Sequence, residues 1–232
     1  MNSLPRHSLF AKAGRETILV GIILAGLAIV PAAQTQQQGG SHPARLFPPS
    51  DLGLLDAPDR DLWQRPDQIM DSLGVADGSV VADIGAGSGW FTIRLARRVG
   101  PQGLVYAEDV QKEMINAISR RVSREGLANV RAVLGQKNDP HLPAQSIDAA
   151  LLVDAYHEIE NRVAVLRNLA RALKPQGRIG VVDFRLHGTG PGPSVEERVS
   201  PDVVVKDATE AGLQLIRQEP FLPYQYFLIF GK

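Results

Sequence analysis

Within five positions the chain places a carboxylate, a phenol, an imidazole and a second carboxylate, in the run Leu152-Val153-Asp154-Ala155-Tyr156-His157-Glu158. That density of titratable groups is what acid–base chemistry requires. His157 is the first candidate for a general base, because an unperturbed imidazole titrates near pH ~6.5, with Asp154 or Glu158 orienting it or contacting substrate. The competing reading is structural, with His157 and Glu158 starting the next helix and bonding to backbone. Asp154, His157, Glu158 and Asp183 would also suit an oxygen/nitrogen metal site. Their spacing matches no recognised metal motif, and no metal is expected. The chain has no cysteine, which excludes disulfides, Cys-ligated zinc, iron–sulfur clusters and thiol nucleophiles.

A second group of residues suits a ligand lying against a glycine-rich loop. Val80-Val81-Ala82-Asp83-Ile84-Gly85-Ala86-Gly87-Ser88-Gly89-Trp90-Phe91 reads as a strand entering a glycine-rich turn that opens a helix. Glycines let the backbone turn tightly and let a ligand lie against it. A nicotinamide-dinucleotide fingerprint wants a further glycine at position 90, where Trp90 stands, and no Gly-Lys-Ser/Thr follows, which excludes a P-loop. About twenty residues on, Ala107-Glu108-Asp109 ends the next strand, where an acidic side chain accepts hydrogen bonds from ribose hydroxyls.

These residues need elements to hold them. Apolar runs of strand length occur at Val80–Ile84, Leu104–Glu108, Asn129–Leu134, Ala149–Val153, Arg178–Asp183, Leu213–Glu219 and Tyr224–Phe230. Several are continuous in Val, Ile, Leu and Ala, as buried parallel strands should be. Helical stretches lie between them near Trp90–Arg98, Gln111–Glu125 and Arg162–Leu173, and from Ser200-Pro201-Asp202 to about Ala211. The alternation predicts an α/β, doubly wound, Rossmann-like parallel sheet. The last two strands are joined only by Pro220–Pro223, too short for a helical crossover, so one terminal strand should run antiparallel. Upstream, Ala57–Pro66 reads as a short covering helix. With the Gly/Pro-rich loop Arg185–Val199, which carries His187, it could form a lid. Trp63 in that segment reads as a packing anchor before a substrate platform.

At these motifs the chain resembles the class I S-adenosylmethionine-dependent methyltransferases, especially their small-molecule branch. Asp83-Ile84-Gly85-Ala86-Gly87-Ser88-Gly89 is similar to that family's first motif and Val105–Met114 to its second. Leu166–Arg178 is similar to the helix, turn and strand that follow its fourth strand. The resemblance covers about residues 62 to 232. It implies a seven-stranded sheet, mostly parallel with the last strand antiparallel, and S-adenosylmethionine as cofactor. It also implies that Gly85, Ala86, Gly87 and Gly89 approach the cofactor's amino-acid and ribose part, that Asp83 orders that end, and that Asp109 takes the ribose hydroxyls with Glu108 as the competing acid. The family's third motif carries Gly-Asp, and here Gly135-Gln136 replaces it. Adenine recognition therefore falls to a loop, with Gln136, Asn138 and Asp139 as candidates, while Asn138-Asp139-Pro140 reads equally well as turn chemistry. The chain also resembles exported methyltransferase-like proteins that share Arg60-Asp61-x-Trp63-Gln64 and Asp154-x-Tyr156-His157-Glu158. The resemblance implies methyl transfer to a small-molecule acceptor, with a non-catalytic cofactor-binding or sensing module as the alternative.

Composition sets the remaining limits. The chain has 232 residues with 25 Lys+Arg against 25 Asp+Glu, enough for one α/β domain with an appendage. Residues 1–33 combine Arg6, Lys12 and Arg15 with the apolar run Ile18–Val30 and then Pro31-Ala32-Ala33. This pattern suits a signal peptide with cleavage after Ala32, or a retained membrane anchor, and in either case the positive flank stays inside and the remainder should face the outside of the cytoplasmic membrane. Residues 34–56 read as a linker and 57–232 as the domain with its covering segment. Removing residues 1–33 takes away three basic residues and one acidic one, leaving 22 against 24. That balance gives no electrostatic reason to expect nucleic acid as a partner.

Overall fold

The computed structural model describes residues 45–188 and 190–232, so the apolar leader and the first part of the linker-like stretch lie outside the described residues. Seven strands form one sheet: β1 Val80–Ile84, β2 Leu104–Asp109, β3 Val130–Leu134, β4 Ile147–Val153, β5 Leu173–Phe184, β6 Gln214–Glu219 and β7 Gln225–Gly231. Their order is β3-β2-β1-β4-β5-β7-β6. β1 is parallel to β2 on one side and β4 on the other, so the chain reverses its direction of winding there and leaves a crevice at the carboxyl ends of these strands. β7 runs antiparallel to both β5 and β6, as the short Pro220–Pro223 connection requires.

The continuous apolar runs are explained by burial on both faces. On one face Ala82, Ala150, Leu152, Val181 and Leu228 pack with α5 (Arg162–Ala172) and α6 (Pro201–Glu210). On the other, Val81, Leu151, Val182 and Phe227 pack with α2 (Pro66–Leu73) and α3 (Trp90–Val99). Because strand side chains alternate, Asp83 shares the face of Val81 and reaches α3, where the Thr92 hydroxyl donates to it at 2.6 Å. α6 begins as its sequence suggests, with the Ser200 side chain accepting from the Val203 N–H and Pro201 in the first turn. A fourth long helix, α4 (Lys112–Arg124), follows β2.

Two local features depart from the sequence-based expectation. The helix before Lys174-Pro175-Gln176-Gly177 ends at Ala172, and Leu173 already pairs with Ile147 of β4. The next pair is Ala149 with Arg178, so residues 174–177 bulge out of the ladder. Pro175 has no N–H to give the ladder, and Lys174 holds the bulge by an ion pair to Asp148 at 2.8 Å. β4 accordingly starts at Ile147, because Asp148 is fixed from both sides, also accepting from the Val80 N–H at 2.8 Å. The covering segment is two helices instead of one, α1 (Arg60–Gln64) and α2, divided at Arg65 with φ of 48°. No helix among the described residues is long and apolar enough to cross a membrane.

Leu151 sits fully buried mid-sheet against the α2–α3 layer. Leu151→Ala should lower unfolding free energy by about 2–5 kcal/mol. The expected observation is a lower urea midpoint at unchanged slope.

Candidate active site

The carboxyl ends of β1, β2 and β4 open onto a cleft lined by Gly85, Gly87, Glu108, Asp109 and Asp154. Its floor is the Gly85–Gly89 turn. Gly85 has φ of +67°, and a Cβ there would lie 2.6 Å from the Ala155 Cβ, so only glycine lets the loop after β1 pass the loop after β4. The turn is tied to the end of β2 on both sides. Asp109 accepts from the Gly87 N–H at 3.0 Å and from the Gln111 N–H at 2.9 Å, and Glu108 accepts from the Gly85 N–H at 3.4 Å. Gly135 follows the same logic, since a Cβ there would overlap the Glu108 carboxylate.

Of the residues the sequence marks for the cofactor, Gly85, Gly87, Glu108, Asp109, Gln136 and Asp154 line the cleft. Asp83 lies beneath the loop, buried and bonded to Thr92. Ala86 and Gly89 shape the turn from behind it, the Ala86 N–H donating to the Glu108 carbonyl at 2.9 Å and the Gly89 N–H to the Ala86 carbonyl at 2.8 Å. In the adenine loop Asp139 accepts from the His141 N–H at 2.9 Å, and the Asn138 carbonyl accepts from the Asn168 amide at 2.7 Å. Those two serve the turn, which leaves Gln136 as the loop candidate that faces the cleft. Val110, Gln111, Met114 and Ile159 also line it; the first three fall within the Val105–Met114 motif without being singled out there, and Ile159 belongs to no motif.

A strap of residues 45–56 closes the cleft. The Phe47 N–H donates to Glu158 at 2.8 Å, and its carbonyl accepts from the Gln111 amide at 3.0 Å. Asp56 at the strap's end pairs with Arg121 at 2.9 Å and accepts from the Ser88 hydroxyl at 2.9 Å. No residue of the 3-10 turn Pro49–Asp56 is buried, so the strap is held by polar latches and not by core packing. Behind it lies a second, wider basin, which shares Phe47, Asp154 and Glu158 with the cleft.

Asp154 stands between the two spaces. It occupies the left-handed region at φ of 56°, strained for a residue with a Cβ, and it is fixed by a ring of polar groups. The Arg60 guanidinium donates to it at 3.0 Å and to Gln64 at 3.0 Å, the Gln64 amide donates to Gln225 at 2.6 Å, and the Gln225 amide returns to Asp154. Arg60 and Gln64 are four positions apart on α1 and so share one face, which accounts for the Arg60-Asp61-x-Trp63-Gln64 pattern. The same guanidinium lies 4.4 Å from the centroid of the Trp90 ring. Desolvation raises the Asp154 pKa to about 7, the Arg60 charge opposing it.

Tyr156 is a core residue, fully buried, with its hydroxyl donating to Asp207 at 2.9 Å. His157 and Glu158 follow it in a 3-10 turn. Asp183 at the end of β5 accepts from the His157 N–H and faces Nδ1, each at 3.0 Å, while Nε2 is 3.7 Å from Glu158. Burial opposes charging the imidazole, but the hydrogen bond and charge of Asp183, with Glu158 and Asp154 beyond, outweigh it and raise the pKa to about 9. His157 is therefore an imidazolium at neutral pH. Burial likewise raises Glu158 to about 6 and Glu108 to about 8. Among the described residues no three His, Asp or Glu side chains are grouped to hold a metal ion.

Comparison with known proteins agrees with this geometry. A family model described as a methyltransferase domain matches residues 81–177. The chain is 33% identical over 130 residues to nocamycin O-methyltransferase of Saccharothrix syringae, covering 56% of this chain and 45% of that protein. It is 32% identical over 130 residues to the ubiquinone/menaquinone biosynthesis C-methyltransferase UbiE of Pasteurella multocida, covering 53% and 46%. The chain thus spans about half the length of these curated relatives. Among solved structures, a SAM-dependent methyltransferase from Aquifex aeolicus superposes with a TM-score of 0.77 at 30% identity, covering 80% of this chain and 98% of that one. The cyclase SpnF shares the fold at 19% identity and a TM-score of 0.59, over 67% and 58% of the two chains.

Because Asp183 raises the His157 pKa from the ordinary imidazole value near 6.5 to about 9, its contribution to stability is fully present below about pH 6.5 and is lost as pH rises through about 9. His157→Asn should cost on the order of 1–3 kcal/mol at pH 6. The gap between the variant's urea midpoint and that of the natural protein should narrow by pH 9.5.

Proposed function

The chain belongs to the S-adenosylmethionine-dependent methyltransferases, and from that premise we propose that it moves the methyl group of S-adenosylmethionine to a small acceptor bound in the basin behind the strap. The single observation that carries this is Asp154, whose carboxylate lies in the wall common to the cofactor cleft and the basin. The cleft suits the cofactor. Bare backbone at Gly85 and Gly87 would meet its amino-acid end, Asp109 and Glu108 its ribose hydroxyls, and Gln136 its adenine, with Ile84, Met114 and Ile159 as apolar contacts. When bound, the cofactor supplies a methyl group already made electrophilic by the sulfonium charge.

The protein's own work is then alignment and proton removal. Sequence considerations put His157 first as proton acceptor; the geometry supports Asp154 instead. An imidazole that titrates near 9 already holds its proton at neutral pH, whereas a carboxyl near 7 exchanges one readily. His157 acts as a positioning residue, a fixed cation that holds Asp183 and Glu158 in place beside the basin. The alternative of a cofactor-binding module without catalysis draws on the cyclase SpnF, which shows that this fold is not confined to proteins named as methyltransferases.

Two measurements test the proposal. Calorimetric titration should show binding of both S-adenosylmethionine and S-adenosylhomocysteine, and absence of both would sink it. These ligands share the amino and carboxylate groups and differ by the sulfonium charge. That charge favours the ionised forms of Glu108, Asp154 and Glu158, so the ratio of the two affinities should move several-fold toward S-adenosylmethionine between pH 6 and pH 8.5. On an acceptor found by screening with labelled methyl donor, Asp154→Asn should lower kcat by about 100-fold or more with affinity for the uncharged S-adenosylhomocysteine nearly unchanged. His157→Asn should leave most of kcat, and the reverse ranking would return the base role to His157.

A further inference from the structure

We propose that the acceptor is a cationic amine with an aromatic or similarly flat apolar body, selected by the walls and charge of the basin. The proposal rests on the methyl-transfer reading for what happens to the amine, and on the basin's own residues for what binds.

The wall is aromatic. Trp63 stands between Phe184 and Tyr224, with ring centroids 6.2 Å apart in each pair, and all three rings line the basin. The Arg185–Val199 loop is laid flat on them: a Cβ at Gly192 would lie 2.7 Å from the Phe184 ring, and one at Gly190 2.6 Å from the Tyr224 ring. Trp63 remains only partly covered and Tyr224 is 37% exposed, so ring surface is left for a ligand. Aromatic faces attract cations, and Phe184 already has the Arg198 guanidinium 5.6 Å from its centroid.

The charge is acidic. Asp51, Asp59 and Glu197 line the outer basin, where Arg45 is the lining cation, and none of the three carboxylates has an ion-pair partner among the described residues. Deeper in, the cations are already engaged, Arg60 by Asp154 and His157 by Asp183. Glu158 shares the same imidazolium, 3.7 Å from its Nε2, so two carboxylates face one cation and the balance there stays negative. A carboxylate or phosphate acceptor would meet repulsion here, and a neutral one would gain only from the rings, whereas an ammonium gains from both.

An ammonium becomes a nucleophile once it gives up a proton, and Asp154 lies where it can receive it. The freed nitrogen lone pair forms the nitrogen–carbon bond to the methyl group while the electron pair of the broken carbon–sulfur bond stays on sulfur. The product is then a methylated ammonium, and the sulfonium charge has passed to nitrogen.

Three probes that share a phenylethyl body and differ in charge test this by calorimetry, each with and without saturating S-adenosylhomocysteine: 2-phenylethylamine, 2-phenylethanol and 3-phenylpropionate. The amine should bind at least 10-fold more tightly than the alcohol, with the acid weakest, and the gap should shrink in high salt. The double variant Asp59→Asn/Glu197→Gln should cut the amine's advantage at least 3-fold while S-adenosylhomocysteine still binds. Trp63→Leu should weaken both amine and alcohol. Equal binding of amine and alcohol, tighter binding of the acid, or no binding of any probe overturns the proposal. Amine selectivity in a protein that fails to bind S-adenosylhomocysteine would instead sink the methyl-transfer reading and leave a cation site.

Discussion

The arrangement turns on one desolvated charge pair. Arg60 is 8% exposed and its partner Asp154 sits at a strained backbone position, so each is tolerable mainly because the other is there. Burial lowers the pKa of Arg60 and raises that of Asp154, and removing either partner would leave a buried charge uncompensated, a loss larger than the pair itself contributes. The amides of Gln64 and Gln225 close the ring, so α1, the end of β4 and the start of β7 are held by a single polar network. The strap depends on it as well, since the Leu55 carbonyl accepts from Arg60 at 2.7 Å.

Burial of acids is the second organising feature. Asp83, Glu108, Asp109, Asp154 and Glu158 are all pushed upward in pKa by loss of water before any neighbour is counted. Such a site is poorly matched to an anion and well matched to a ligand that brings positive charge. Structural stability and ligand preference thus pull in opposite directions: the empty fold gains from protonated carboxyls, the loaded one from ionised carboxylates. Part of the cofactor's binding energy goes into holding charges that the protein alone would rather neutralise.

The sheet was legible because its inner strands are buried on both faces and therefore read as apolar runs, and because Gly85 and Gly87 stand in one short motif with Asp109 at the end of the very next strand. The antiparallel β7 followed from a four-residue connection. What could not be read locally was long-range. Gln225 belongs to the site across 71 residues from Asp154, and Gln64 meets it across 161; nothing near Gln225 marks it, and the Arg60-Asp61-x-Trp63-Gln64 pattern does not say what Gln64 will meet. Tyr156 stood in a run of titratable residues, yet the 3-10 turn after β4 directs it into the core. Asp183 looked like the end of an ordinary buried strand until β5 was set beside the turn carrying His157. The start of β5 was obscured by Lys174-Pro175-Gln176-Gly177, which has turn chemistry but is a bulge within a continuing strand.

β7 follows β6 in the chain but lies inside it, between β6 and β5. Until β7 arrives, β5 shows an open hydrogen-bonding edge and β6 has no neighbour, so a nascent chain that has emerged only through β6 is a five-strand sheet with an apolar flank exposed. The same late strand carries Gln225, the residue that closes the network around Asp154. Completion of the core and completion of the active site are therefore one event in assembly, and a partly synthesised chain cannot hold Asp154 in its working position ahead of time.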